Sequence, residues 1–377
     1  MRKVIITNLL ILAVFGSTCF WSVKKDRLTA SVDKILAEQT EGEEEILVLT
    51  SSDLVKKNDQ NTTKDYIKWV DFTVSKFALA ESYEYDRDTY GTDRHISWID
   101  LLAWTAAHTG GKFGDDRTVC KCMEELETEV EAGKKLEELT EDLEYFSYYR
   151  EAYETVLGGM VGEYEIEEPD AQGRKVIQKR YGLKAFHPIA KGFPYTDYDD
   201  FGASRSYGYR REHLGHDMMG QVGTPVVCVE SGYVEALGWN QYGGWRIGIR
   251  SFDKKRYYYY AHLRQGFPYQ PELKEGAVVL AGDVIGYMGH TGYSTKEDVN
   301  NIDQTHLHVG MQLIFDESQK DSDNEIWIDC YQIMGFLYRN QSETARNDET
   351  KEWRRIYEMK DPAAEKYERT LDFSMYP

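Results

Sequence analysis

Cysteine is scarce in this chain. Five occur among 377 residues, Cys19, Cys120, Cys122, Cys228 and Cys330. The odd number and scattered positions give no disulfide framework, so free thiols are expected, although an external location would permit a bridge. Cys120 and Cys122 are the only close pair, and one such pair does not make a zinc knuckle. Cys228, in Pro225-Val-Val-Cys-Val, reads as core strand. Positive charge is also short: 45 Lys and Arg stand against 65 Asp and Glu, for a net charge of −20. Nucleic-acid binding is thereby disfavoured, because it calls for basic patches. The acid is concentrated between Asp115 and Asp170 and reads as a solvated helical surface. What the chain has is enough length for two domains and a tether, and 41% hydrophobic residues, ample for a core.

An apolar run, Val4 to Val23, lies between Arg2-Lys3 and Lys24-Lys25. It is near the ~20 residues a membrane span needs, though Thr7, Asn8 and Ser17 dilute it. No clear Ala-x-Ala cleavage site follows, and Gly16-Ser-Thr before Cys19 is a poor lipobox. Residues 1–25 therefore read as an N-in, C-out membrane anchor, with a cleaved signal and secretion as the alternative. Residues 26–64 are polar and acidic and read as a tether, with a short helix near Ser31–Glu38.

Residues 65–160 read as a small helical domain. Ser97 is a cap-like start for Trp98 onward, and Gly110-Gly111 ends that helix. Met123, Leu126 and Val130 fall at helical spacing. Leu136, Leu139, Leu143 and Phe146 do so too, predicting one helix that runs to Gly158-Gly159. His95 and His108 in this segment, and His187 beyond it, read as structural. From Gly223 to Leu313 the pattern is short strands and glycine turns, which suits an antiparallel β-sheet. Residues 318–377 are polar, with one apolar helix-like segment at Ile326–Leu337.

The chemistry concentrates between His213 and His308. His213-Leu-Gly-His-Asp217 opens the stretch and His306-Leu-His308 closes it. Gln304–Leu313 alternates as a strand, so His306 and His308 face one way and Leu307 the other. Between the two motifs a strand ends in His262, with Tyr258 and Tyr260 predicted on its face. Three protein ligands plus water is the usual form of a catalytic zinc site, and here the candidates are His and Asp, not Cys. Zinc would lower the pKa of its water and polarise a carbonyl, which suits hydrolysis.

These motifs resemble the lysostaphin-type zinc endopeptidases that cut peptidoglycan peptides. The family carries His-x-x-x-Asp, a Tyr-x-His-Leu-like segment and His-x-His, in that order. Here they are His213/Asp217, Ala261-His262-Leu263 after a tyrosine run, and His306/His308. The glycine framework also matches, at Gly223-Thr-Pro, Gly232-Tyr-Val, Gly276, Gly282–Gly286 and Thr291-Gly292. The resemblance covers about residues 185–317. It implies zinc ligands His213, Asp217 and His308, and catalytic histidines His262 and His306. Tyr207 falls where the family has a tyrosine that stabilises the oxyanion, though an ordinary loop tyrosine fits as well. His216 falls inside the first motif but is not carried over as a ligand.

The expected fold is α+β, with an antiparallel β peptidase core preceded by a small helical domain and the anchor. The expected divisions are 65–160 helical, 161–317 catalytic with its core at 205–315, and 318–377 as an extension. The expected protein is a membrane-anchored Gram-positive member of this family. Its catalytic domain faces outward and cleaves wall peptides by attack of a zinc-activated water. The negative charge makes non-specific adhesion to an anionic wall polymer unfavourable, so wall contact should run through specific recognition. The alternatives are a silent wall-binding scaffold on the same fold and a peptidase acting on proteins.

Overall fold

Helix α1, Lys76–Thr89, starts at Ser75, whose hydroxyl accepts from the Ala78 amide. Helix α2, Trp98–Thr109, has its Ser97 cap and its left-handed Gly110 where the sequence places them. Trp98 through Ala106 are all buried, so α2 runs through the core rather than over it. Helix α3, Asp116–Glu131, buries the single face Val119, Cys122, Met123 and Leu126. The computed structural model describes residues 66–207 and 209–374; the anchor and tether, residues 1–64, lie outside them. Among the described residues no helix is long and apolar enough to cross a membrane.

The single helix predicted from Leu136 to Gly158 is two helices, α4 Leu136–Thr140 and α5 Phe146–Leu157. Tyr145 separates them at φ 67, a left-handed conformation that a β-carbon resists. The apolar spacing continues across the break, which is why the pattern reads as one element. The glycine pair after α5 does more than end a helix. A β-carbon on Gly159 would sit 1.7 Å from the Glu230 carboxylate.

Strands β1 Val161–Pro169 and β2 Lys175–Leu183 form a hairpin that Met359–Lys360 extends on the β1 edge. The following strands are β3 Thr196–Asp197, β4 Ser204–Tyr207, β5 Tyr209–Glu212, β6 His216–Met219, β7 Pro225–Val227 and β8 Gly232–Asn240. After them come β9 Gly244–Ser251, β10 Arg256–Ala261, β11 Val278–Val279, β12 Val284–Tyr287, β13 His306–Leu313 and β14 Ile326–Ile328. The main sheet is antiparallel and runs β11-β8-β9-β10-β13-β6-β3, with β14 on β13. The fold is thus α+β.

The apolar segment Ile326–Leu337 is helical only in its second half. Strand β6 covers β13 from His306 to Val309 and leaves the rest of that edge open. Ile326–Ile328 fills it as β14, and helix α6, Tyr331–Leu337, follows. A final helix, α7, spans Pro362–Ser374. One hydrophobic cluster joins Leu79, Leu102 and Val156 of the helices to Val309, Met311 and Ile328 of the sheet and to Met334 and Leu337 of α6.

A buried ion pair ties the helices to the sheet. Arg256, 1% exposed at the start of β10, meets Glu230 through Nε at 2.7 Å and Nη2 at 3.0 Å. Its Nη1 donates to the Thr155 carbonyl of α5 at 2.7 Å, and Nη2 also donates to Asp253. The cation therefore satisfies carbonyls at a helix C-terminus, where positive charge is favoured. Arg256→Ala should leave Glu230 buried and unpaired and cost about 3–5 kcal/mol. The double change Arg256→Met with Glu230→Leu should cost clearly less. Thermal or urea unfolding of the three proteins checks this, and an unchanged midpoint in the single variant refutes it.

Candidate metal centre and active site

Strand β13 carries the closing histidines between two neighbours. His308 stands opposite Asp217 of β6 on one side and Ala261 of β10 on the other. Alternation turns Leu307 into the core, fully buried, and leaves His306 and His308 on the other face. Asp217 shares that face because its register partner is His308. His213 precedes β6 in the loop after β5, four residues ahead of Asp217. Gly215, between them, has no alternative: a β-carbon there would lie 2.5 Å from the His308 ring.

Three acceptor atoms converge. His213 Nε2 is 3.0 Å from Asp217 Oδ1 and 2.9 Å from His308 Nδ1, which is 2.9 Å from the same Asp217 oxygen. His213 Nδ1 faces the Asp200 carbonyl at 3.1 Å, so that nitrogen donates and Nε2 is left to the cluster. Two imidazole lone pairs and a carboxylate oxygen pointing at one spot repel each other unless a cation sits among them. In this arrangement a proton does so. Burial alone would lower the pKa of His213, but the Asp200 and Asp217 carboxylates carry it up to about 9. Burial would raise that of Asp217, yet hydrogen bonds from His213 and His308 hold it far below the carboxylate range. These three residues are the described group whose ligand atoms could hold a metal ion, and the donor set fits zinc.

The other two histidines stand beside the cluster. The His262 ring lies 4.6 Å from that of His306 and 5.9 Å from that of His308. His262 Nδ1 donates to the Thr291 carbonyl at 2.9 Å and His306 Nδ1 to the Gln304 carbonyl at 2.8 Å. Each Nε2 is left facing the groove. Burial, with His306 and His308 nearby, drives the pKa of His262 well below its ordinary value, so it stays neutral near pH 7. Both rings line an open groove of about 660 Å³ with the metal triad, Tyr259 and Trp327.

The face predicted for β10 is corrected here. Tyr258 and Tyr260 are fully buried on the core side, where the Tyr260 hydroxyl accepts from the Val229 amide and Tyr258 donates to Glu230. Tyr257, Tyr259 and Ala261 share the face of His308. His262 reaches that face against the alternation because its backbone is left-handed, φ 60, just past the strand end. Such a conformation costs on the order of 1–3 kcal/mol and is held here by the amide bond to Gly243 and the Thr291 contact. His216 points away from the metal face, bonded to Asp197 Oδ2 at 2.9 Å and packed on Tyr331. Tyr207 ends β4, and its side chain lies outside the described residues. His95 has an acidic partner that no spacing announced, Asp86 at 2.8 Å. His108 bonds the Trp104 carbonyl within its own helix.

Sequence reasoning missed Asp200 and Arg205. Asp200 supports His213 and, at 2.5 Å, accepts from Arg205, which also reaches the second Asp217 oxygen at 3.2 Å. That grip leaves Oδ1 of Asp217 as the oxygen for a metal. No fixed spacing ties Asp200 or Arg205 to the histidine motifs, so only the fold reveals them.

The groove brings three converging ligand atoms together with two further histidines, an arrangement that could hold a metal ion. Residues 211–322 match the family described as Peptidase family M23, and that stretch is a Peptidase M23 domain. The chain is 42% identical over 124 residues to the L-Ala--D-Glu endopeptidase of Bacillus subtilis, covering 33% of this chain and 36% of that protein. It is 39% identical over 84 residues to lysostaphin of Staphylococcus simulans, covering 22% of this chain and 16% of lysostaphin. The likeness therefore spans well under half the length of either relative. A crystal structure titled a putative glycyl-glycine endopeptidase lytM from Ruminococcus gnavus superimposes with a TM-score of 0.48 at 22% identity, covering 73% of this chain and 92% of that one.

The His213 proton gives a testable linkage. Its folded pKa, about 9, lies above the ordinary histidine value, so the stabilisation it gives the metal-free protein is complete below about pH 6.5 and lost as pH rises through 9. A metal ion bound to His213 Nε2 would have to displace that proton. Loading the apoprotein with zinc at pH 7.5 should release about one proton. Calorimetry in buffers of different ionisation enthalpy measures it, and release of none would mean His213 is not a ligand.

Proposed function

We propose that this chain is a zinc-dependent endopeptidase that hydrolyses peptide bonds of cell-wall peptidoglycan. The observation that carries the reading is the convergence of His213 Nε2, Asp217 Oδ1 and His308 Nδ1 beside two further histidines in one groove. The Peptidase M23 domain over residues 211–322 and its similarity to L-Ala--D-Glu endopeptidase and lysostaphin support the same substrate class.

A zinc ion at the three ligand atoms would supply Lewis acidity and lower the pKa of water toward 7. His213, Asp217 and His308 would hold it, with Asp200 and Arg205 orienting the first two. His262 and His306 handle protons. Each has its Nδ1–H committed to a carbonyl, so each offers an Nε2 lone pair to the groove. One accepts the proton of the attacking water, and the pair returns a proton to the departing amine. The same nitrogens, once protonated, donate to the negative oxygen that develops on the carbonyl. The depressed basicity of His262 keeps it unprotonated at neutral pH.

The two histidines of β13 separate ligand from catalyst. His308→Ala removes a ligand atom, so bound zinc and turnover should fall together. His306→Ala and His262→Ala leave the three ligands, so zinc should stay while release of muropeptides drops about 10²–10⁴-fold. Metal content and muropeptide release are measured side by side on all three proteins. Zinc lost from His306→Ala and kept by His308→Ala reverses the roles. Wild-type turnover in every variant points to a site elsewhere, and no release by the wild-type protein points to a silent scaffold.

We further propose that the apolar run Val4–Val23 anchors the protein in the cell membrane with the peptidase domain outside. The mature protein should then sediment with membranes and be released by external protease cutting within residues 26–64. A soluble form beginning near residue 24 shows cleavage and secretion instead.

A further inference from the structure

The groove is lined by carboxylates as well as cations, Glu212, Asp217, Asp321 and Glu325 among them, yet two of its arginines are paired with none of these. Arg205 is paired with Asp200 and Asp217 and belongs to the metal centre. Arg211 and Arg246 line the same groove, and among the described residues neither has a carboxylate at ion-pair distance. Arg211 donates Nη2 to the Tyr293 hydroxyl and lies against the Tyr242 and Tyr293 rings, at 5.1 and 5.2 Å. Its Nη1 is buried without a partner. The Arg246 Nη1 is likewise buried without a partner, and so is Nε2 of Gln312 on the same groove face.

These groups flank the reacting centre. Tyr293 packs on His262 at 6.1 Å, so Arg211 is one ring removed from a catalytic histidine. Tyr259 packs on His308 at 5.9 Å, and both arginines act electrostatically on the Tyr259 phenol. Arg246 faces the groove because it alternates with Ile247 and Ile249, which fill the core. Partly buried cations lacking acceptors are costly, and structures retain them where a ligand completes them. Every unpartnered atom named here is a donor. An occupant rich in acceptors and negatively charged answers all of them, and guanidinium forks match a carboxylate in shape.

We propose that Arg211 and Arg246 recognise a free carboxylate on the substrate next to the scissile bond, so that the peptide cut by this site is anionic rather than a neutral glycine bridge. This rests on the peptidase reading of the same groove. It selects among peptides of one class: a residue bearing a free carboxylate is accepted, and the corresponding carboxamide is disfavoured.

The test uses the full-length zinc-loaded protein in detergent and two synthetic peptides, L-Ala–γ-D-Glu–L-Lys and the same peptide with the D-Glu α-carboxylate amidated. Binding is measured by calorimetry on His306→Ala, which needs no turnover, so a failure of the hydrolysis reading leaves this result readable. The carboxylate peptide should bind about 10- to 100-fold more tightly than the amide, the worth of a hydrogen bond to a charged group. Arg246→Met and Arg211→Met, each introduced into His306→Ala, should bring that ratio toward one with zinc retained. Arg246→Lys should restore part of it, which a merely structural role would not do. Equal affinity for the two peptides, preference for the amide, binding of neither, or undiminished discrimination in both Met variants overturns the proposal. On the wild-type protein, the same discrimination should recur in kcat/KM.

Discussion

The site depends on one ladder of hydrogen bonds. Strand β13 is held between β6 and β10, and its register fixes His308 opposite both Asp217 and Ala261. A slip of one residue would send His308 into the core and Leu307 to the groove, because side chains alternate with period two. The buried Leu307, Val309 and Met311 make that slip costly on the opposite face. The candidate ligands thus take their precision from the apolar residues between them. Only His213 arrives from a loop. It is held by the Asp200 carbonyl and by a Gly215 that lets the chain pass close over His308.

The convergence of acceptors is unfavourable without a cation, and this shapes the rest of the electrostatics. The site spends one carboxylate, Asp217, on the cluster and a second, Asp200, on orienting its neighbours. Arg205 offsets both. His262 avoids becoming a cation through burial beside other imidazoles, and His262 and His306 each direct Nδ1–H to a backbone carbonyl. The proposed division of these five residues into ligands and proton carriers follows their backbone positions rather than their chemistry. The positive φ of His262 is the clearest instance, since an extended residue there would have joined Tyr258 and Tyr260 in the core.

That instance also marks where the sequence stops being legible. Period-two alternation within β13 assigned both histidines and Leu307 to their faces, because the strand is regular throughout. The same rule failed at His262, one residue past the end of β10, where a backbone torsion decides the direction. Ser97 and Gly110 were readable because a cap is local chemistry. The break at Tyr145 was not, because a non-glycine residue in the left-handed region leaves no mark in the apolar spacing. Ile326–Ile328 read as helix because short apolar runs suit both elements, and the open edge of β13 settles the matter. Asp200, Arg205, Glu230 and Arg256 are invisible to pattern reading, since each acts through partners far away in sequence or at no set spacing.

Net charge is a poor guide to the groove. The chain carries −20 overall, which would oppose an anionic ligand if charge acted at long range. At physiological ionic strength it does not, since screening removes exposed interactions beyond about 8 Å. Groups within a partly buried groove are screened far less and act at close quarters. Arg211 and Arg246 therefore govern what enters, and the acid elsewhere keeps the surface from adhering to anionic polymers. Under the proposed reading, such a surface would not adhere to the wall polymer while the groove would accept an anionic peptide. The two would coexist because the arginines are set beside the metal triad, unpaired with the groove's own Glu212, Asp321 and Glu325, while most of the acid is spread over the rest of the fold.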